Sequence, residues 1–157
     1  MNLINLNDIK YGKLSEVQIL PKIQYCFSDN TIIKLEKRYS IFDFISKSQR
    51  LIIEIKSRRN RYASYKTTMI GLNKILEAET YSLKGYTVIF FIQFEDGLYY
   101  FDYKNWASIS SHKDFEIYHG GTIRRGKDER HKHAYIPINM LHFLKDQELI
   151  NYTRTAL

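Results

Sequence analysis

Asp43 and Glu54 lie eleven positions apart, and Lys56 follows Glu54 at a spacing of two. Around them the sequence alternates as strands do. Ile41, Asp43 and Ile45 share one face of a strand over Ile41–Ile45, and Ile52, Glu54 and Lys56 share one face of a strand over Leu51–Lys56. The polar turn Ser46–Gln49 between them is short enough for an antiparallel hairpin, which sets the two carboxylates side by side. Carboxylates brought that close repel each other unless a cation separates them. Magnesium suits the pair, because it is a hard ion held by one or two carboxylates, waters and substrate phosphate. Lys56 would then supply a fixed positive charge able to orient an attacking water or to stabilise a pentacovalent phosphate. An isolated Glu-x-Lys is, however, a common exposed ion pair on a strand, so the surrounding elements have to decide.

Those elements have a readable order. A helix is expected over Lys13–Leu20, with Leu14, Val17 and Leu20 on one side and Pro21 kinking or ending it. Asp29-Asn30 marks a turn. From Thr31 the period becomes two, with Ile33, Leu35, Lys37 and Tyr39 on one face, and this strand joins the next two in a meander. Arg58–Lys66 reads as a basic loop. A second helix is expected over Thr68–Lys84, striped by Leu72, Ile75, Leu76, Glu79 and Leu83 and capped by Gly85. Tyr86–Phe94 is nearly all apolar, as a strand covered on both faces would be. Glu95-Asp96-Gly97 turns into a partner strand over Leu98–Tyr103. Further strands are expected at Phe115–Tyr118, before a turn at Gly120-Gly121, and at Ala134–Ile138. Asn139 is placed to cap a closing helix through Lys145. The class is α/β or α+β, with a mixed central sheet flanked by helices.

This combination of Asp43, Glu54-Ile55-Lys56, a three-stranded meander and flanking helices resembles the PD-(D/E)xK nuclease superfamily. The resemblance spans about Gly12 to Phe94 and implies a restriction endonuclease-like core of helix, meander, helix and strand. Its first motif falls on Phe42-Asp43, with Phe42 where many members carry proline, and its second on Glu54-Ile55-Lys56. It implies catalytic roles for Asp43, Glu54 and Lys56. It also implies metal binding by Asp43, Glu54, the carbonyl of Ile55 and the helix glutamate Glu16. Some members carry a glutamine and a tyrosine four apart on the second helix; Glu77 and Tyr81 hold that spacing here, with only the tyrosine matching. The cofactor implied is Mg²⁺, with Mn²⁺ as a substitute. The activity implied is site- or structure-specific DNA cleavage, of the homing, restriction or junction-resolving kind, by a homodimer or larger homo-oligomer.

Two basic stretches are candidates for holding nucleic acid. Arg58, Arg59, Arg61, Tyr62 and Lys66 run directly out of the proposed site, where they could clamp phosphates and stack with Tyr62 or Tyr65. Arg124, Arg125, Lys127 and Lys132 form a second stretch, read as a hairpin that enters a groove. His131 and His133 alternate, but no third residue at zinc spacing accompanies them.

The bulk properties agree with this chemistry. A net charge of +7 over 157 residues favours polyanionic partners, nucleic acid before acidic membrane surfaces. Cys26 is the only cysteine, which excludes an intramolecular disulfide and fits a reducing, intracellular setting. No signal peptide is evident, and the apolar run Val88–Ile92 is too short to span a bilayer, so a soluble protein without membrane partners is expected. The chain is read as one nuclease domain over 1–157, with a core of about 12–103 and a basic tail of about 104–157. Three other readings share parts of the pattern: an RNA endonuclease with the same site, a non-catalytic nucleic-acid-binding module of the same fold, and a structural or interaction protein.

Overall fold

A computed structural model describes residues 3–36, 40–105, 117–120, 123–124, 127–128 and 131–151. Among them α1 spans Leu3–Cys26 and α2 spans Leu72–Leu83. The strands are β1 (Ile33–Lys34), β2 (Phe44–Ser46), β3 (Leu51–Ser57), β4 (Thr67–Gly71), β5 (Thr87–Phe94) and β6 (Gly97–Asp102). They continue with β7 (Ile117–Gly120), β8 (Ile123–Arg124), β9 (Lys127–Asp128), β10 (His131–Pro137) and β11 (His142–Phe143).

Six strands form the main sheet in the order β1-β2-β3-β5-β6-β11. Within it β3 and β5 are parallel, while the meander β1-β2-β3, the hairpin β5-β6 and the β6-β11 pair are antiparallel. The sheet is therefore mixed, with α2 lying in the crossover between its parallel strands. A second sheet has the order β4-β10-β7 and is antiparallel throughout.

β3 and β5 are apolar on both faces because both faces are covered. Leu51, Ile53 and Ile55, with Ile89 and Phe91, join Ile19, Ile23 and Cys26 of α1 in one core. Ile52, Val88, Phe90 and Ile92 face the other way. They share a second core with Ile75 and Ala78 of α2 and with Ile70, Ala134 and Ile136 of the second sheet. Glu54 interrupts this second face and is nevertheless buried. A buried carboxylate in an apolar layer is unfavourable unless something compensates it, which makes Glu54 the centre of a candidate site.

Several sequence expectations need correction. The first helix is longer than Lys13–Leu20 and runs through the exposed Pro21 without ending. Its buried face is Ser15, Glu16, Ile19, Ile23 and Cys26, whereas Leu14 and Val17 are 57% and 67% exposed. The second helix begins at Leu72, because Thr67–Gly71 pairs with β10 as a strand. Of its expected stripe, Ile75 is buried but Leu76 and Leu83 are exposed, and Ala78 takes the inner position. Gly85 does close the helix, at φ +85°, a conformation that favours glycine. No closing helix follows Asn139: a single 3₁₀ turn, Ile138–Met140, leads into β11. Only Ile33–Lys34 of the expected first strand pairs as a strand, and Lys37 and Tyr39 lie outside the described residues.

Candidate active site

The register of β2 on β3 pairs Phe44 with Ile53 and Ile45 with Ile52, so Asp43 stands at the level of Glu54 where the strand pair opens. Backbone bonds hold Asp43 there. Its N–H donates to the Ile53 carbonyl at 3.1 Å, and its own carbonyl accepts from Leu35 N–H at 2.8 Å. Its carboxylate is fixed too, since Oδ2 accepts the Ile55 N–H at 2.8 Å. One oxygen of Asp43 is thus used in positioning the group.

Glu54 is only 1% exposed. Lys56 Nζ lies 3.2 Å and Lys74 Nζ 3.0 Å from its Oε1. Oε2 is buried without a hydrogen-bond partner among the described residues. Burial pushes the carboxyl up from its ordinary 4.5 to about 7; Lys56 opposes this, Asp43 adds to it, and Lys74 opposes it. Two ammonium groups therefore do not offset the burial of this carboxylate beside a second one.

Lys74 was not among the sequence candidates. It reaches the site from the first turn of α2, with its ammonium 5.6 Å from the centre of the Phe42 ring. Phe42 occupies the position where many superfamily members have proline. It is buried and packs edge-on against Tyr81 at 5.7 Å and Phe90 at 6.3 Å. Tyr81 therefore stands behind Phe42, and neither it nor Glu77 lines the cleft. A signal for Lys74 does exist in the sequence: it lies one helical turn before Ala78, the small residue on the buried face of α2. Reading it required the correct rotation of the helix.

The cleft above the two carboxylates measures about 640 Å³. Its lining includes Asp43, Glu54, Ile55 and Lys56 from the sheet, Lys74 from α2, and Tyr11, Lys13 and Glu16 from α1. Glu16 is buried on the cleft wall with its Oε2 2.7 Å from Lys34 Nζ, an ion pair that satisfies it locally. Among the described residues no three His, Cys, Asp or Glu side chains come together as a metal-holding group. The acidic pair at the floor is thus Asp43 with Glu54. These are hard oxygen donors, and the unpartnered Glu54 Oε2 is a vacant acceptor; both features fit a divalent cation.

The basic loop divides in its roles. Arg58 and Arg59 line the cleft. Arg58 is half-buried; its Nε donates to Thr68 Oγ1 at 3.4 Å and its Nη2 to the Met69 carbonyl, and burial lowers its pKa. The Arg59 guanidinium sits 5.0 Å from the centre of the Tyr11 ring. Arg61 is exposed and 3.6 Å from Asp96, and Lys66 is exposed. Tyr62, expected to reach outward, turns inward instead. It stacks on Tyr99 at 4.1 Å and donates its hydroxyl to the Ile138 carbonyl at 2.7 Å. In the second basic stretch, β8 and β9 pair as the expected hairpin, with Arg124 opposite Lys127, and Lys132 lies in β10 opposite His119. Arg125 lies outside the described residues.

A mixed sheet flanked by helices, with an aspartate and Glu-x-Lys meeting on its meander, is the restriction endonuclease-like fold of the PD-(D/E)xK nucleases. The family model described as "Phage putative PDDEXK endonuclease" matches residues 13–145, and the chain belongs to that family. Nucleases of this kind generally use divalent metal ions and act on nucleic acid. No match to the chain was found among curated proteins. Among the described residues, no helix is long and apolar enough to cross a membrane.

Proposed function

We propose that this protein is a Mg²⁺-dependent endonuclease that hydrolyses phosphodiester bonds in DNA at particular sites or structures. The observation that carries the reading is the buried meeting of Asp43 and Glu54 at the floor of a cleft walled by lysines and arginines, with Glu54 Oε2 left unpartnered. Asp43 and Glu54, assisted by the Ile55 carbonyl, would hold the metal, with Mn²⁺ able to substitute. A divalent ion bound there supplies charge neutralisation at the phosphate and a more acidic water.

The chain's own groups do the rest. The Ile55 N–H fixes one Asp43 oxygen and so aims the other. Lys56 is held beside Glu54, where its ammonium can orient the attacking water and offset the charge that develops on phosphate oxygens. Lys74 gives a second positive charge at the same carboxylate. Arg59, Arg61 and Lys66 offer phosphate contacts along the strand leaving the cleft, and the β8–β9 hairpin with Arg124 and Lys127 offers a second grip. Glu16 acts as a wall residue holding Lys34. The domain is read as one nuclease unit, and cutting both strands of a duplex calls for two copies, as a homodimer.

The test is a substrate panel of plasmid, linear duplex, branched DNA and structured RNA, incubated with Mg²⁺ or Mn²⁺. The expected result is metal-dependent cutting of DNA, with the preferred form separating site-specific from structure-specific action. Cutting of RNA alone would replace DNA with RNA as the substrate. Binding without cutting of any substrate would make the chain a non-catalytic binder.

A further inference from the structure

The second sheet has one face in the core and one turned away from it. Thr68, Ile70, Ala134 and Ile136 are buried, while the alternating Thr67, Met69, His133 and Tyr135 are half-buried. Tyr135 stands directly opposite Met69 in the ladder. At this place the protein has a second cavity of about 290 Å³, lined by Tyr62, Tyr65, Phe94 and Tyr135 together with Arg58 and Asn60. Its walls are fixed on one side, because Tyr62 stacks on Tyr99 and meets Phe94 edge-on at 5.8 Å. On the other side Tyr65 is 66% exposed just after the 3₁₀ turn Tyr62–Ser64, and among the described residues no ring stacks on it.

Arg58 links this cavity to the catalytic cleft, since it lines both. Its bonds to Thr68 and Met69 use two of the five N–H donors a guanidinium carries, which leaves donors for an occupant. A chain whose phosphate contacts Arg58 from the cleft side has its next chemical group within reach of the cavity. For a nucleic acid that group is a sugar, and the sugar carries a base. Aromatic side chains in the lining, together with the donors of Arg58 and Asn60, suit an unpaired base, which stacks on aromatic rings and is read along its edges. A paired base inside a duplex does not present its faces in this way.

We infer that this cavity receives an unpaired nucleobase of the strand whose phosphate occupies the catalytic cleft, with Tyr65 as its stacking lid. The inference rests on the nuclease reading of the cleft, and it makes a strand with a frayed, bulged or single-stranded nucleotide at the site the preferred substrate.

The test compares two oligonucleotides of equal length in Ca²⁺ buffer by fluorescence anisotropy, one of thymidine nucleotides and one abasic. The wild type should bind the base-bearing strand about tenfold more tightly. Tyr65→Ala should bring that ratio close to one while leaving affinity for the abasic strand unchanged, and Tyr65→Phe should restore the ratio. Equal affinity of the wild type for both strands, no binding of either, a ratio that survives Tyr65→Ala, or an equal loss for both strands would each overturn the inference. Cleavage is read separately. A wild type that prefers bases but cuts nothing defeats the nuclease reading alone, and one that cuts with a ratio of one defeats the base cavity alone.

Discussion

Glu54 concentrates the electrostatics of the site, with Asp43 beside it and Lys56 and Lys74 against one of its oxygens. In the metal-free protein its folded pKa of about 7 lies above the ordinary 4.5, so the fold holds the proton more tightly than the unfolded chain does. The stability tied to that proton is fully present below the lower value and is lost as pH rises through the upper one. With a chelator present, the melting temperature should fall by several degrees between about pH 5 and pH 8. Glu54→Gln should flatten this fall, and an unchanged pH profile in that variant would show that Glu54 is not its source. Lys74 gives a second expectation at this scale. Lys74→Met should lower the cleavage rate by about 10- to 100-fold, and Lys74→Arg should recover much of it. Equal loss in both variants would point to packing against Phe42 rather than to charge. The juxtaposition of Asp43 with Glu54 and Lys56 was legible in the sequence because period-two alternation and a short turn, read with the order of the elements around them, set the strands side by side. Lys74 was not, because its place depends on how far α2 is rotated over the sheet.

Short-range signals located most elements and misjudged faces and ends. The meander, the Gly85 cap and the β5-β6 hairpin each depend on neighbours close in sequence. α1 carries two competing apolar sets, and the more regular one, Leu14 and Val17, is the exposed one. Its buried face includes Ser15 and Glu16, polar residues that belong to the cleft end of the helix and blur the hydrophobic pattern. This rotation is testable. Ile23→Ala, at a position with 0% exposure, should cost about 2–5 kcal/mol in denaturant unfolding. Leu14→Ala should stay within about 0.5 kcal/mol of the wild type. The reverse order would mean that the helix presents its other face to the sheet. β4 and β11 were missed for a different reason. Thr67–Gly71 runs straight into a helix and becomes a strand by pairing with β10, more than sixty residues away. His142–Phe143 becomes a strand by completing the edge of β6. Pairing over such distances is a tertiary effect that overrides local preference.

At the scale of the whole molecule, the region after residue 104 is more than an appended basic tail. It supplies β10 and β11, and Ala134, Ile136, Leu141 and Leu144 enter the two cores. The meander that carries Asp43 and Glu54 and this later segment are thus braced by the same layers, and the family match to residue 145 spans both. Among the described residues, Lys13, Lys56, Arg58, Arg59 and Lys74 line the cleft around its acidic floor, an arrangement that under the proposed function attracts a polyanion while the carboxylates hold a cation. The most direct measurement is the rate of DNA cleavage by the wild type, Asp43→Ala and Lys56→Ala, first with EDTA and then with excess Mg²⁺. The account predicts no cutting by the wild type in EDTA, cutting on addition of Mg²⁺, and a loss of about 100-fold or more in both variants. Cutting that persists in EDTA, or an Asp43→Ala protein as active as the wild type, would contradict it.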